Sequence, residues 1–324
     1  MRFQLTIRAF ILLLVSAISA GSGSVPRPQD ADALIRIQDR QLITKADRER
    51  VLNEVLTAAQ EARDASDWSR AAGFLNRAGR LQFWLHEPET ALETFKEVRE
   101  ILKNSPESPA YVDSLNGSAT VHVDNIKCDD ARALTTQARN LSEHSNYIPG
   151  KAEALLLLSD CQNYENPPQA ISTAGASLEL WESVNDRLGT ARAHAAIGHY
   201  ELAQTNLLEA TKNHEEALKI FRELNIVPEE AEAIIVFGFV AYRQGRWDDC
   251  LSLLAQAQGM LDERAEPFKM GQITATIGET FLEIGLPDAA LQKIERASEY
   301  FREAKDDRSV SVMRWDFGKV YYAQ

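Results

Sequence analysis

Residues Ala275–Phe301, ATIGETFLEIGLPDAALQKIERASEYF, decide the fold. An apolar residue and a glycine, Ile277-Gly278, are followed three positions later by Phe281. After Gly285-Leu286-Pro287, three residues return at helical spacing: Ala290, Ile294 and Ala297. Small residues at fixed places let two helices approach closely, and a bulky residue between them fills the groove. The stretch therefore reads as two antiparallel helices joined by a tight turn.

The same signature recurs in both directions. Gly198, Gly238, Gly278 and Gly318 stand 40 positions apart, behind Ile197, Phe237, Ile277 and Phe317. Ala170, Ala210, Cys250 and Ala290 form a second series, and Ser177, Ala217, Ala257 and Ala297 a third. Earlier copies are worn. Ala91, Phe95 and Val98 match Ala131, Thr135 and Ala138, and Val51, Val55 and Ala58 lie one step before. Gly79 holds the glycine place, with Ala119 and Leu158 expected there in the next two units. One step is short by a residue (170 − 131 = 39), and the turn containing Pro149 is expected to absorb it. A sample unit places its helices over Ala191–Ala203 and Leu207–Leu224, the second with the apolar stripe Ala210, Ala217, Leu218 and Phe221. Pro109, Pro149, Pro228 and Pro267 fall where helices should start, whereas Pro167, Pro168 and Pro287 lie in turns inside units. One helix pair leaves an apolar face that must be covered by its neighbours, so a period of this length predicts a stacked array.

These positions resemble the tetratricopeptide repeat, in units of 40 residues and without that family's proline at the end of helix B. The resemblance implies an all-α fold, a right-handed superhelical α-solenoid of antiparallel helix pairs. It covers about Ala31 to Gln324: a poorly marked leading helix pair at 31–66, then six units and a final incomplete one at 67–324. Ala217–Leu224 followed by Glu232-Ala233 is also similar to the repeats that often precede a CHAT peptidase domain in bacterial proteins.

Residues 1–20 carry the order of a secretory signal: Arg2 and Arg8, an apolar run over Ala9–Val15, then small residues. Cleavage is expected after Ser19 or Ala20, and 21–30 reads as a flexible linker. The expected location is therefore periplasmic or extracellular, with no membrane span once the signal is removed. Net charge is −13, and −15 without Arg2 and Arg8, which disfavours a nucleic-acid partner. Cys128, Cys161 and Cys250 make no metal spacing, and a Cys128–Cys161 disulfide is left open.

No motif for catalysis, a metal or a cofactor stands out in the sequence. The six histidines make no ligand pair, and His214 occupies the bulky helix-B place, which favours a packed core role. Acidic pairs such as Asp129-Asp130 and Glu229-Glu230 flank helix starts, where negative charge favours the helix dipole.

The tetratricopeptide resemblance places ligand-facing residues of helix A three before the motif glycine, one after it and four to five after it. Carried over, these give Asn76, Arg80, Trp84, Asn116, Thr120, Ser159, Asn163, His199, Phe239, Tyr242, Arg243, Trp315 and Lys319 as candidate binding residues. Asn76 and Asn116 are suited to a peptide backbone, and Phe239, Tyr242 and Arg243 form an aromatic-plus-Arg patch. Asn76 with Arg80 departs from the Lys–Asn carboxylate clamp that holds chaperone tails. The leading expectation is a non-catalytic scaffold for a protein or peptide segment, with no cofactor. The alternative is the sensor region of a larger CHAT-type peptidase, and a weaker expectation is end-to-end self-association.

Overall fold

A computed structural model describes residues 35–263 and 265–323, and among these every regular element is helical. The expected signal and linker, 1–20 and 21–30, lie outside the described residues. After a short helical segment at 35–40, α1 (Lys45–Asp64) leads into six pairs. These are α2 (Trp68–Trp84) with α3 (Pro88–Ile101), α4 (Pro109–Asp124) with α5 (Cys128–Ser145), and α6 (Ile148–Asn163) with α7 (Pro167–Ser183). Then come α8 (Arg187–Ala203) with α9 (Leu207–Glu223), α10 (Val227–Arg243) with α11 (Trp247–Met260), and α12 (Pro267–Glu283) with α13 (Pro287–Glu303). Helix α14 (Asp307–Ala323) is the last of the described residues' helices.

Four of the six pairs are closed by a glycine-and-bulk fit, and Ala119 and Ser159 take the glycine's place in the other two. A Cβ on Gly198 would lie 2.6 Å from the His214 ring; on Gly238, 2.8 Å from Leu254; on Gly278, 3.0 Å from Ile294. Gly79 meets Phe95 in the same way at 2.7 Å. The bulky partners are themselves in phase with one another, so the repeat encodes complementary surfaces. Helix α8 begins a turn earlier than its apolar pattern indicates, because Asp186 caps it by accepting from the Gly189 amide. Pro167 and Pro287, expected within turns, instead open α7 and α13. There the missing N–H is no loss.

Most helix A-to-B turns hold one residue with positive φ: His86, Ile126, Thr205, Gly245 and Gly285. No residue of the turn 164–166 has one. The one-residue deletion therefore falls here and not beside Pro149, a correction that moves the register of α6. Asn116 donates to the Gly150 carbonyl at 2.9 Å just as Asn76 donates to that of Ala110 at 2.7 Å, both across 34 positions. The small-residue place of this unit is thus Ser159, fully buried, not Leu158.

Helices α2, α4, α6 and α8 pack each on the next, as do α10, α12 and α14, whereas no comparable packing joins successive B helices. The A helices accordingly form the tighter, inner wall of a curved stack. Between α8 and α10 the A helices stand further apart. None of the three cysteines forms a disulfide, and burial with the neighbouring Cys128 thiol pushes Cys161 up to about 12. Among the described residues no helix is long and apolar enough to cross a membrane.

Candidate functional site

Two cavities open on the inner wall. The smaller, about 90 Å³, is lined by Arg80, Trp84, Asn116 and Thr120 together with Glu153 and Arg192. The larger, about 230 Å³, lies over α6, α8 and α10 and is lined by Asp160, Arg192, His199, His214, Glu229 and Glu232. Five of the sequence candidates, Arg80, Trp84, Asn116, Thr120 and His199, are thus brought to these cavities.

The walls are ionic. Arg192 clasps Glu153 with two bonds, at 2.7 and 2.8 Å. Burial pushes the Glu153 carboxyl up, but Arg192, Arg36 and Arg40 outweigh it and hold it below the usual range. Asp160 accepts from the Tyr200 hydroxyl at 2.6 Å. Burial nevertheless raises its carboxyl to about 6. His199 stands 3.5 Å from Glu232, and its ring meets His214 edge-on with centroids 4.7 Å apart. His214 is fully buried with no hydrogen-bond partner on either nitrogen. Burial, then His199, depress it to about 3. Such a wall offers ion pairs and hydrogen bonds to a polar chain. Among the described residues no cluster of three or more His, Cys, Asp or Glu is arranged to hold a metal.

Other candidates lie elsewhere. Asn76 is buried between α2 and α4, so its amide, like that of Asn116, joins successive A helices. Thr120 donates to the Asn116 carbonyl within its own helix. Ser159 is buried, donates to the Leu156 carbonyl and touches the Tyr200 hydroxyl. The facing place in α6 is held by Asp160, which the misplaced deletion concealed: it stands 40 positions after Thr120. Asn163 is half-buried at the end of α6. Phe239, Tyr242 and Arg243 form one patch beyond the cavities. Arg243 lies 5.9 Å over the Phe239 ring, and Tyr242 bridges Phe239 and Trp247 at 6.2 and 5.5 Å. Lys319 is exposed and pairs with Asp316 at 2.8 Å. The Trp315 side chain lies outside the described residues.

Sequence reading missed the occupant of this wall. The chain's own segment 35–48 runs across it. Arg36 pairs with Asp186 at 2.8 Å and lies 5.7 Å over the Trp181 ring. Arg40 pairs with Glu229 and lies 5.1 Å over Trp84. Ile37 packs on the cluster of Leu188, Ala191, Phe221 and Ile226. Gln41 donates to the Leu224 carbonyl at 2.7 Å. Asp39, fully buried, accepts from Arg77 at 2.5–2.9 Å. Arg48 reaches Glu266 and the carbonyls of Trp84 and Ala265. No pattern in Leu34–Arg40 signals this, because periodicity cannot report a contact made across 150 or more positions.

No protein-family profile matches the chain, and a search of curated proteins finds no relative. Solved structures share the fold. A Rap protein complexed with competence and sporulation factor superposes with a TM-score of 0.63 at 14% identity, over 98% of this chain and 94% of that one. The Rap conjugation gene regulator of plasmid pLS20, in complex with the Phr* peptide, gives 0.60 at 14% identity, over 80% and 76%. A signal transduction ATPase with a tetratricopeptide repeat sensor from Pyrococcus horikoshii gives 0.55 at 18% identity. That match covers 83% of this chain and 42% of the other. The chain is thus a tetratricopeptide-like helical solenoid.

Proposed function

We propose that this solenoid is a non-catalytic scaffold that binds a peptide or protein segment along its inner wall. One observation carries the reading: the wall already holds polypeptide, gripping residues 35–41 through ion pairs, an apolar contact and a bond to a main-chain carbonyl. The two Rap structures, one bound to competence and sporulation factor and one to a peptide, support it by likeness of fold. Candidate contacts are Arg80, Trp84, Thr120, Asp160 and His199 at the cavities, with Phe239, Tyr242 and Arg243 as an aromatic extension. An exported location, periplasmic or extracellular, belongs to the proposal and rests on the basic–apolar–small order of residues 1–22.

A photo-crosslinking residue placed at Thr120, His199 or Phe239, and for contrast at the exposed outer positions Glu216 or Lys219, tests the reading. The same partner should be recovered from the inner positions and not from the outer ones. Adducts formed chiefly from Glu216 or Lys219 would contradict it.

A second reading, a sensor array within a larger protein, is favoured by the Pyrococcus likeness, where the repeat region is a sensor. The finer similarity to repeats ahead of CHAT domains belongs to this reading. A partner peptidase activated only when the inner wall is filled would separate it from a plain scaffold.

A further inference from the structure

The way residues 35–41 are held identifies the chemistry the groove selects. Arg36 and Arg40 are four apart, so both guanidinium groups leave one face of a helical turn, with Ile37 beside them. Their acceptors are fixed by the fold. Asp186 is the N-cap of α8, and Glu229 lies in the first turn of α10, both places where a helix dipole favours negative charge. Leu224, whose carbonyl takes the Gln41 amide, caps the end of α9, where main-chain carbonyls lack helical partners. The apolar pad under Ile37 comes from Leu188 and Ala191 of α8, Ala217 and Phe221 of α9, and Ile226 at the N-cap of α10. The site is therefore two carboxylates, an aromatic ring beside each guanidinium, and an apolar pad.

The resident segment fits this site incompletely. Arg40 lines both cavities, so open clefts of about 90 Å³ and about 230 Å³ adjoin it. The larger space is lined by Asp160, Glu229 and Glu232 beside Arg40 and Arg192, with Lys269 3.7 Å from Glu232. A ligand carrying the same two guanidinium groups and a further long side chain would fill it.

We propose that the inner groove is a binding site for a basic helical peptide of a partner protein, with two arginines four residues apart beside an apolar residue. Residues 35–41 are its resident competitor. This rests on the scaffold reading above and deepens it. Resident and ligand exclude one another, so apparent affinity in the whole chain is reduced by the fraction of time the resident is docked.

The probe is a fluorescein-labelled synthetic peptide of the sequence Ile35–Ile43, followed by anisotropy with the full chain. Wild type should bind weakly. Arg36→Gln/Arg40→Gln, which loosens the resident, should bind at least about tenfold more tightly. Asp186→Asn/Glu229→Gln should lose binding, as should a peptide with citrulline for both arginines. Equal affinity for wild type and the Arg36→Gln/Arg40→Gln chain, equal affinity for the citrulline peptide, or no binding to any chain would overturn the proposal. Should the Asp186→Asn/Glu229→Gln chain fail to fold, the citrulline peptide against wild type decides alone. A wild-type dimer that forms with concentration and excludes the peptide would assign the site to a second copy and equally overturn it. In each such case the scaffold reading stands if inner-wall crosslinks to a partner persist.

Discussion

His214 and Asp160, both on the larger cavity, pull the acid stability of this molecule in opposite directions. The folded His214 stays neutral down to about pH 3, whereas an unfolded histidine takes a proton near 6.5. Stability from this group is full above about 6.5 and falls as pH drops, by roughly 1.4 kcal/mol per unit. Asp160 titrates near 6 when folded and near 3.9 when unfolded, so its penalty is complete above about 6 and is relieved towards 4. The contributions of these two groups should therefore nearly cancel between pH 6 and 4. Relative to wild type, His214→Leu should become more stable on acidification over that window and Asp160→Asn less so, each by about 2 kcal/mol. Urea titrations at a series of pH values check this, and parallel profiles for all three would refute the assignment. Gly198→Ala, which drives a Cβ into the His214 ring, should cost about 1–3 kcal/mol. At this scale the sequence disclosed the packing role of His214 through its phase. It concealed Asp160, because a deletion within one turn is invisible when every unit is aligned by its small residues.

Helices and turns were the most legible level, since complementary small and bulky residues repeat with them. Residues at the turn apex were less so, because φ is a property of the chain path. Ile126 and Thr205 occupy left-handed positions, at φ 56° and 64°, that Gly245 and Gly285 fill in sister turns. Both are β-branched and pay for it in steric strain. Both are exposed, so little burial is at stake. Ile126→Gly and Thr205→Gly should each stabilise the chain by up to about 1 kcal/mol, with the larger entropy of unfolded glycine offsetting part of the relief. Lowered denaturation midpoints would show that these turns are not strained.

In a plain solenoid each unit touches its neighbours, and stability is a sum of local terms. Here segment 35–48 ties the second half of the stack to the first: Arg36 to Asp186, Arg40 to Glu229, and Arg48 to Ala265 and Glu266. Burial pushes Glu266 up, but Lys269 and Arg48 hold it at about 2, so removing Arg48 strips part of that support. Arg48→Ala should cost on the order of 3–5 kcal/mol and split one unfolding transition into a broader or stepped one, visible by calorimetry. A sharp single transition of unchanged midpoint would mean the tie carries no energy. None of this was legible in the sequence, whose repeat describes nearest neighbours only. Amide hydrogen exchange across residues 35–41 reads the docking of this segment itself. A helical segment this short has no protection of its own. Docked on the inner wall it should exchange at least about a hundredfold slower than an unstructured chain, and lose that protection in Arg36→Gln/Arg40→Gln. Exchange at the unstructured rate in wild type would mean that residues 35–41 are not held on the inner wall.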